Sequence, residues 1–280
     1  MYVRVWTRVK IVVCIPARYD STRFPGKVLA QETGKYLVQH TYEQACKARL
    51  PERVIIAADD ERIVAAAQTF GGECVLTRTD HQSGTDRIAE AVTDVDADIV
   101  INVQGDEPDI DPAHIDQLAE MLVNDPDAVM ATLATRLSRP EQVADPNIVK
   151  AIISSCVHPV GAAPRGCPPK AGQAQGPAPT HNTPNRAIYF SRCPIPYDRG
   201  NGGIGPADLY LRHIGIYAYR KDFLLKLTAL PQTPLEKLEK LEQLRVIENG
   251  YAILVGIVDD TSEGIDTPEQ YAAFVEQRGK

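Results

Sequence analysis

The sequence predicts an α/β fold built on a mostly parallel sheet with helices on both faces. Three observations carry that expectation. Short apolar runs rich in Val and Ile alternate with stretches of helical character through the first 123 residues. Parallel strands need crossover helices, and those helices cover the sheet on both sides. Capping residues and glycines stand at the junctions, where helices must start and stop. The third observation is bulk, since 280 residues with 44% hydrophobic side chains can bury a substantial core. The whole chain, 1–280, reads as a single domain interrupted by one flexible insertion at 154–186.

The apolar, β-branched run 9–15 reads as the first strand. A polar loop follows, then a helix over 36–48. Residues 54–57 read as a second strand, and Asp59 or Asp60 can cap a helix that ends at Gly71 and Gly72. A strand at 74–76, a helix over 85–92, a strand at 99–103 and a helix over 112–123 continue the alternation. In the second half, 129–135, 148–153, 187–190 and 214–219 read as strands. Residues 235–248 read as one helix, with Thr233 as N-cap, Pro234 as the first helical residue and Glu236 as the capping-box partner. Leu235, Leu238, Leu241 and Leu244 look like its core stripe. A last strand, 252–258, precedes a helix opened by Thr267-Pro268-Glu269-Gln270. Residues 154–186 are dense in Pro, Gly and Ala without apolar periodicity, and read as a long flexible loop. Cys156, His158, Cys167 and His181 within it fit no standard metal-site spacing.

Composition excludes several functions. A net charge of -7 argues against nucleic acid as a partner, because that binding needs a basic surface. An anionic ligand must instead be held by a local cluster of cations. No run of 18 apolar residues occurs, so no membrane span is expected. The apolar run 11–16 is too short for the core of a signal peptide. Six scattered cysteines include no C-x-x-C pair and read as free thiols in a reducing cytoplasm.

In covered parallel sheets, ligands lie beyond the carboxyl ends of the strands. Two loops occupy such positions here. The first, residues 16–27, holds Arg18, Arg23 and Lys27 with a single glycine. It is neither a Walker loop nor a dinucleotide fingerprint. Its chemistry still suits a triphosphate: the arginines can fork onto phosphate oxygens, Lys27 adds a point charge, and Ser21 and Thr22 add donors. The second, Gln104-Gly105-Asp106-Glu107-Pro108, puts a carboxylate where ligands bind. Magnesium favours one or two carboxylates with phosphates and water, so Asp106 suits it, although the same residues also make an ordinary turn. Asp266 can join it if Thr267 caps the last helix; otherwise Asp266 is itself the cap. The polar segment 81–87 precedes a helix and can read a base edge or simply form a turn capped by Ser83 or Thr85.

Seven motifs occur in order: IPARYDSTRFPGK, DHQSGTDR, VQGDEP, YFSRCPIPY, LRHIGIYAY, PLEKLEKLEQLR and GIDTPE. Together they resemble the 3-deoxy-manno-octulosonate (Kdo) cytidylyltransferase family over residues 9–275. The resemblance implies a nucleotide-diphospho-sugar transferase-like fold, a Rossmann-like mixed sheet in three α/β/α layers. It implies CTP and Kdo as substrates, magnesium as cofactor, a cytoplasmic homodimer and a role in lipopolysaccharide synthesis. Arg18, Ser21 and Lys27 would meet the CTP phosphates, Ala17 and Ser83 would help seat cytosine, and Gln104 would serve both substrates. Asp106 and Asp266 would hold the metal and, with Arg18 and Lys27, carry catalysis. Gln104, Arg192, His213, Tyr217, Glu242 and Gln243 would line the sugar-acid pocket. Read without the resemblance, Arg192 is a surface arginine, His213 and Tyr217 share one strand face and simply pack, and Glu242 and Gln243 are solvated neighbours of a leucine stripe. A sialic-acid or 8-amino-Kdo cytidylyltransferase would differ in that pocket and not in the phosphate loop. A metal-dependent glycosyltransferase would carry D-x-D spacing, which Asp106-Glu107 does not match. The resemblance breaks at 154–186, a segment that relatives replace by a short turn. Outward bulging is expected there, since long surface loops cost little entropy.

Overall fold

A computed structural model of the chain describes residues 9–21, 23–154, 185–259 and 264–278. The elements run β1 (Ile11–Ala17), α1 (Leu37–Ala45), β2 (Arg53–Ala58), α2 (Glu61–Thr69), β3 (Cys74–Leu76), α3 (Gly84–Ala91), β4 (Ile99–Asn102) and α4 (Pro112–Asn124). The second half adds β5 (Met130–Arg136), α5 (Pro140–Ala144), β6 (Lys150–Ser154), β7 (Asn185–Ser191), β8 (Leu211–Arg220) and α6 (Lys221–Ala229). It ends with α7 (Pro234–Glu239), α8 (Gln243–Glu248), β9 (Ile253–Val258) and α9 (Pro268–Arg278).

The nine strands of the described residues form one sheet in the order β3-β2-β1-β4-β8-β5-β9-β7-β6. β1 pairs parallel with β2 and β4, and β5 pairs parallel with β9. β8 inserts antiparallel between β4 and β5, so the sheet is mixed and not simply parallel. Strand alternation sorts the core into two layers. Ile11, Val13 and Ile15 face α1, α2 and α4, whereas Cys14 faces α3, α6 and α8. The helices supply matching stripes. On α4, Ile115, Leu118, Ala119 and Leu122 are buried at helical spacing.

Caps decide several ambiguities of the sequence. Asp60, not Asp59, caps α2 by accepting the Arg62 N–H. Ser83 caps α3 in a reciprocal box with Asp86. Thr267 Oγ1 accepts the Gln270 N–H, and Gln270 Oε1 accepts the N–H groups of Asp266 and Thr267. The Asp266 carboxylate is thereby left for other work.

Three expectations need correction. The helix read over 235–248 is two helices, broken at Lys240, which adopts left-handed φ 52 and ψ 50. The break turns the chain, so Leu235 and Leu238 are exposed while Leu241 and Leu244 are buried. Leucine spacing mimics one stripe across two short helices. α5 and α6 were also not foreseen; α6 follows β8 without a turn signal and buries Phe223, Leu224 and Leu227. Ser154, Asn185 and Arg186, read as part of the flexible loop, are strand residues at the ends of β6 and β7. The remainder of that segment and its Cys156, His158, Cys167 and His181 lie outside the described residues.

Candidate active site

The loop after β1 folds back on itself, with the Gly26 N–H donating to the Tyr19 carbonyl at 3.0 Å. Gly26 takes φ +70, a conformation that glycine adopts without penalty. It leads into a 3-10 turn at Lys27–Leu29 that directs the Lys27 side chain inward, where it is buried. Lys27 Nζ donates to Asp106 Oδ2 at 2.6 Å and to Asp266 Oδ1 at 3.3 Å. Arg23 reaches the same Asp266 oxygen at 3.1 Å.

Two backbone contacts bring the aspartates together. The Ile265 N–H donates to the Asp106 carbonyl at 2.8 Å, which ties the entrance of α9 to the loop after β4. Gly105 lies so close to β1 that an added Cβ would meet the Pro16 carbonyl at 2.9 Å. Arg18, Ser21, Lys27, Gln104, Asp106 and Asp266 thus line one cleft of about 290 Å³.

A second cavity, about 440 Å³, shares Gly84 and Gln104 with this cleft. Ser83, His213, Tyr217, Glu242 and Gln243 line it. The His213 and Tyr217 rings stand 5.5 Å apart. β8 carries a bulge between them, because Leu133 pairs with Ile214 while Thr132 pairs with Tyr217. The bulge adds two residues, an even number, so the side chains stay on one face.

Burial pushes the His213 imidazole down to about 3, which leaves it neutral near pH 7. Thr132 Oγ1 lies 3.1 Å from its Nε2. Burial also raises the Tyr217 phenol and the Glu242 carboxyl. Glu242 Oε1 accepts the Thr85 hydroxyl at 2.5 Å. Glu107 is pushed up to about 8, first by desolvation and then by the charge of Asp106.

Arg192 is not brought into this arrangement and lines neither cavity. Its guanidinium donates to the carbonyls of Glu239 at 2.6 Å and Pro146 at 2.9 Å, which latches it behind the α7–α8 break. Ala17 is also not on a cavity wall; as the last residue of β1 it is fully buried. The Ser83 hydroxyl is occupied by Asp86 in the α3 cap. Among the polar residues of the second cavity, Asn102, Asn147, Arg212 and Lys240 were missed. The position of Asn102 at the carboxyl end of β4 was a usable signal. Lys240 depends on a helix break that periodicity hides, and Arg212 follows the side of a strand that alternation alone would have assigned to the other face.

Two carboxylates within reach of one ammonium form a hard, all-oxygen donor pair. No group of three or more His, Cys, Asp or Glu gathers into a metal cage among the described residues. A pair of carboxylates suits magnesium, which completes its shell with phosphate oxygens and water.

A family model described as Cytidylyltransferase matches residues 12–255. A 3-deoxy-manno-octulosonate cytidylyltransferase from Solibacter usitatus is 46% identical, over 93% of this chain and 91% of its own. One from Syntrophotalea carbinolica is 45% identical, over 92% and 94%. The solved structure of a CMP:2-keto-3-deoxy-manno-octonic acid synthetase complexed with CTP superimposes with TM-score 0.81 at 38% identity, covering 96% of this chain and 98% of that one. A 4-diphosphocytidyl-2C-methyl-D-erythritol synthase from Anaerococcus prevotii shares the fold alone, at 11% identity and TM-score 0.59. The fold is therefore the mixed α/β fold of nucleotide-diphospho-sugar transferases, and the chain belongs to the 3-deoxy-manno-octulosonate cytidylyltransferase family.

Proposed function

We propose that this chain activates Kdo with CTP, giving CMP-Kdo and pyrophosphate, and that its two adjoining cavities divide the substrates between them. The observation that carries the reading is the convergence of Lys27, Asp106 and Asp266 on one point beside the second cavity. The triphosphate lies along the loop after β1, with Arg18, Ser21 and Lys27 on its oxygens. Kdo occupies the cavity of His213, Tyr217, Glu242 and Gln243, with Gln104 between the two substrates. Arg192, latched to Glu239 and Pro146, reaches Kdo only if that latch opens.

In the reaction the anomeric oxygen of Kdo bonds to the α-phosphorus, the bond from that phosphorus to the bridging oxygen breaks, and pyrophosphate leaves. The hydroxyl proton passes to solvent. Orientation and charge stabilisation dominate such transfers. Lys27 and Arg18 offset the charge that builds on the leaving group. Neutral His213 and the raised Tyr217 phenol act as hydrogen-bonding walls and not as bases. Magnesium held by Asp106 and Asp266 would polarise phosphate oxygens and lower the pKa of the attacking hydroxyl.

We take the enzyme to be a single catalytic domain acting as a cytoplasmic homodimer. Exposed apolar side chains, among them Ile188, Tyr197, Leu209 and Leu238, support the dimer, and light scattering tests it. Cys14, Cys46, Cys74 and Cys193 are free thiols, in keeping with a reducing compartment. No helix among the described residues is long and apolar enough to cross a membrane. The activity is tested by pyrophosphate release with CTP over a panel of sugar acids. Turnover with Kdo is expected. Turnover with sialic acid and none with Kdo would overturn the substrate reading.

A further inference from the structure

Asp59 follows β2 and is not needed as a cap, because Asp60 caps α2. It instead bonds both the loop after β1 and the first turns of α3, the helix whose start borders both cavities. Its Oδ1 accepts the Tyr19 backbone N–H at 2.9 Å. Its Oδ2 accepts from Arg87 Nη2 at 3.1 Å. The Asp59 side chain is 12% exposed and the Arg87 side chain is fully buried.

Each end of this bridge is anchored further. Tyr19 closes the phosphate loop through the Gly26 N–H, and its ring lies 3.4 Å from the Arg62 guanidinium carbon. Arg87 Nη1 donates to Thr77 Oγ1 at 2.7 Å and to the Arg78 carbonyl at 3.1 Å. Arg87 sits in α3 a turn beyond Ser83 and Gly84, and Gly84 lines both cavities. The positive charge of Arg18 acts on Arg87, so the Asp59 carboxylate also offsets repulsion between the two arginines.

We propose that Asp59 is a positioning residue that sets the distance between the triphosphate-holding loop and the start of α3 facing the base. This rests on the reading of CTP as the nucleotide. Residue type matters for a simple reason. Two donors approach two different oxygens, and a carboxylate accepts on both sides. An amide of the same shape would present an NH₂ group to one donor, so one link must fail.

The test compares wild type with Asp59→Asn, using calorimetric titration of CTP and steady-state kinetics in Kdo. The dissociation constant for CTP should rise about tenfold or more, since misplacement near 1 Å costs up to about a hundredfold, while KM for Kdo stays within about twofold. CTP affinity within about twofold of wild type would overturn the proposal. A purely structural role would instead lower the thermal midpoint and the active fraction while the remaining folded protein bound CTP normally. If Asp59→Asn fails to fold with Arg87 left unpaired, Asp59→Asn/Arg87→Met removes that charge. The same weakening of CTP is expected there, and normal CTP affinity overturns the idea. Wild type that binds CTP but releases no pyrophosphate with Kdo would fault the sugar reading and leave the Asp59 comparison intact. Wild type that binds no CTP would overturn both.

Discussion

Replacing Lys27 by methionine keeps the length of the side chain and removes the charge between two carboxylates. Lys27 is about nine-tenths buried, whereas the Asp106 and Asp266 side chains are 28% and 47% exposed. At 2.6 and 3.3 Å, the attractions are roughly 6 and 5 kcal/mol at an effective dielectric near 20. Burying the ammonium costs several kcal/mol, and solvent screens the more exposed Asp266 strongly. The net loss in Lys27→Met is therefore on the order of 1–2 kcal/mol, a fall of a few degrees in Tm. Catalysis should suffer more, by about 10²–10³ in kcat, because a charge aimed at the leaving group is gone. The assay pairs thermal unfolding with pyrophosphate release, each with and without magnesium. Magnesium should restore the lost Tm, since Asp106 and Asp266 would hold it in place of the lost charge and binding to the folded state stabilises. A Tm that ignores magnesium, or a kcat within about tenfold of wild type, would refute the reasoning.

Other predictions follow from the same geometry. His213 is held at about 3 in the fold against 6.5 when exposed, so protons favour the unfolded chain below the higher value. Its contribution is full above about pH 6.5 and declines as pH falls towards 3; His213→Gln should show a flatter Tm profile over that window, and parallel profiles would contradict the burial argument. Gly105→Ala should destabilise by about 1–3 kcal/mol through its clash with the Pro16 carbonyl, read by denaturant titration, with no loss if β1 and the Asp106 loop are less closely packed. Glu242→Gln should raise KM for Kdo by about tenfold with little change in CTP affinity, because a charge-assisted hydrogen bond is worth roughly 1.5–3 kcal/mol; a change in CTP affinity alone would place Glu242 on the wrong substrate.

Much of this was legible in residues. Val- and Ile-rich runs buried on both faces declare central strands, and β1 and β4 were readable for that reason. At Thr267 the expected cap forms in both directions, whereas at Thr233 the Glu236 carboxylate accepts the Thr233 N–H while the Thr233 hydroxyl has no hydrogen-bond partner. Lys27, Asp106 and Asp266 stand out in the sequence as charged residues in loops, but their convergence depends on the Ile265–Asp106 backbone bond, which no local pattern encodes. The α7–α8 break escaped because Leu spacing of three suits one helix or two. Arg192 was placed in the pocket by resemblance, yet its guanidinium is held by the carbonyls of Glu239 and Pro146, partners supplied by distant segments. Asp59 escaped for the opposite reason: next to a capping Asp60 it looked like an alternative cap, and its partners lie 40 residues back and 28 ahead.

Transfer is proposed to depend on magnesium held by Asp106 and Asp266, the two carboxylates that Lys27 gathers. Pyrophosphate release by wild type and by Asp106→Ala, each titrated with magnesium at saturating CTP and Kdo, tests it most directly. Wild type should be silent in chelator and rise to a plateau with magnesium. Asp106→Ala should keep its cooperative thermal transition while losing at least about 10²–10³ in kcat. A folded Asp106→Ala protein with near-normal turnover would rule out a metal role for Asp106.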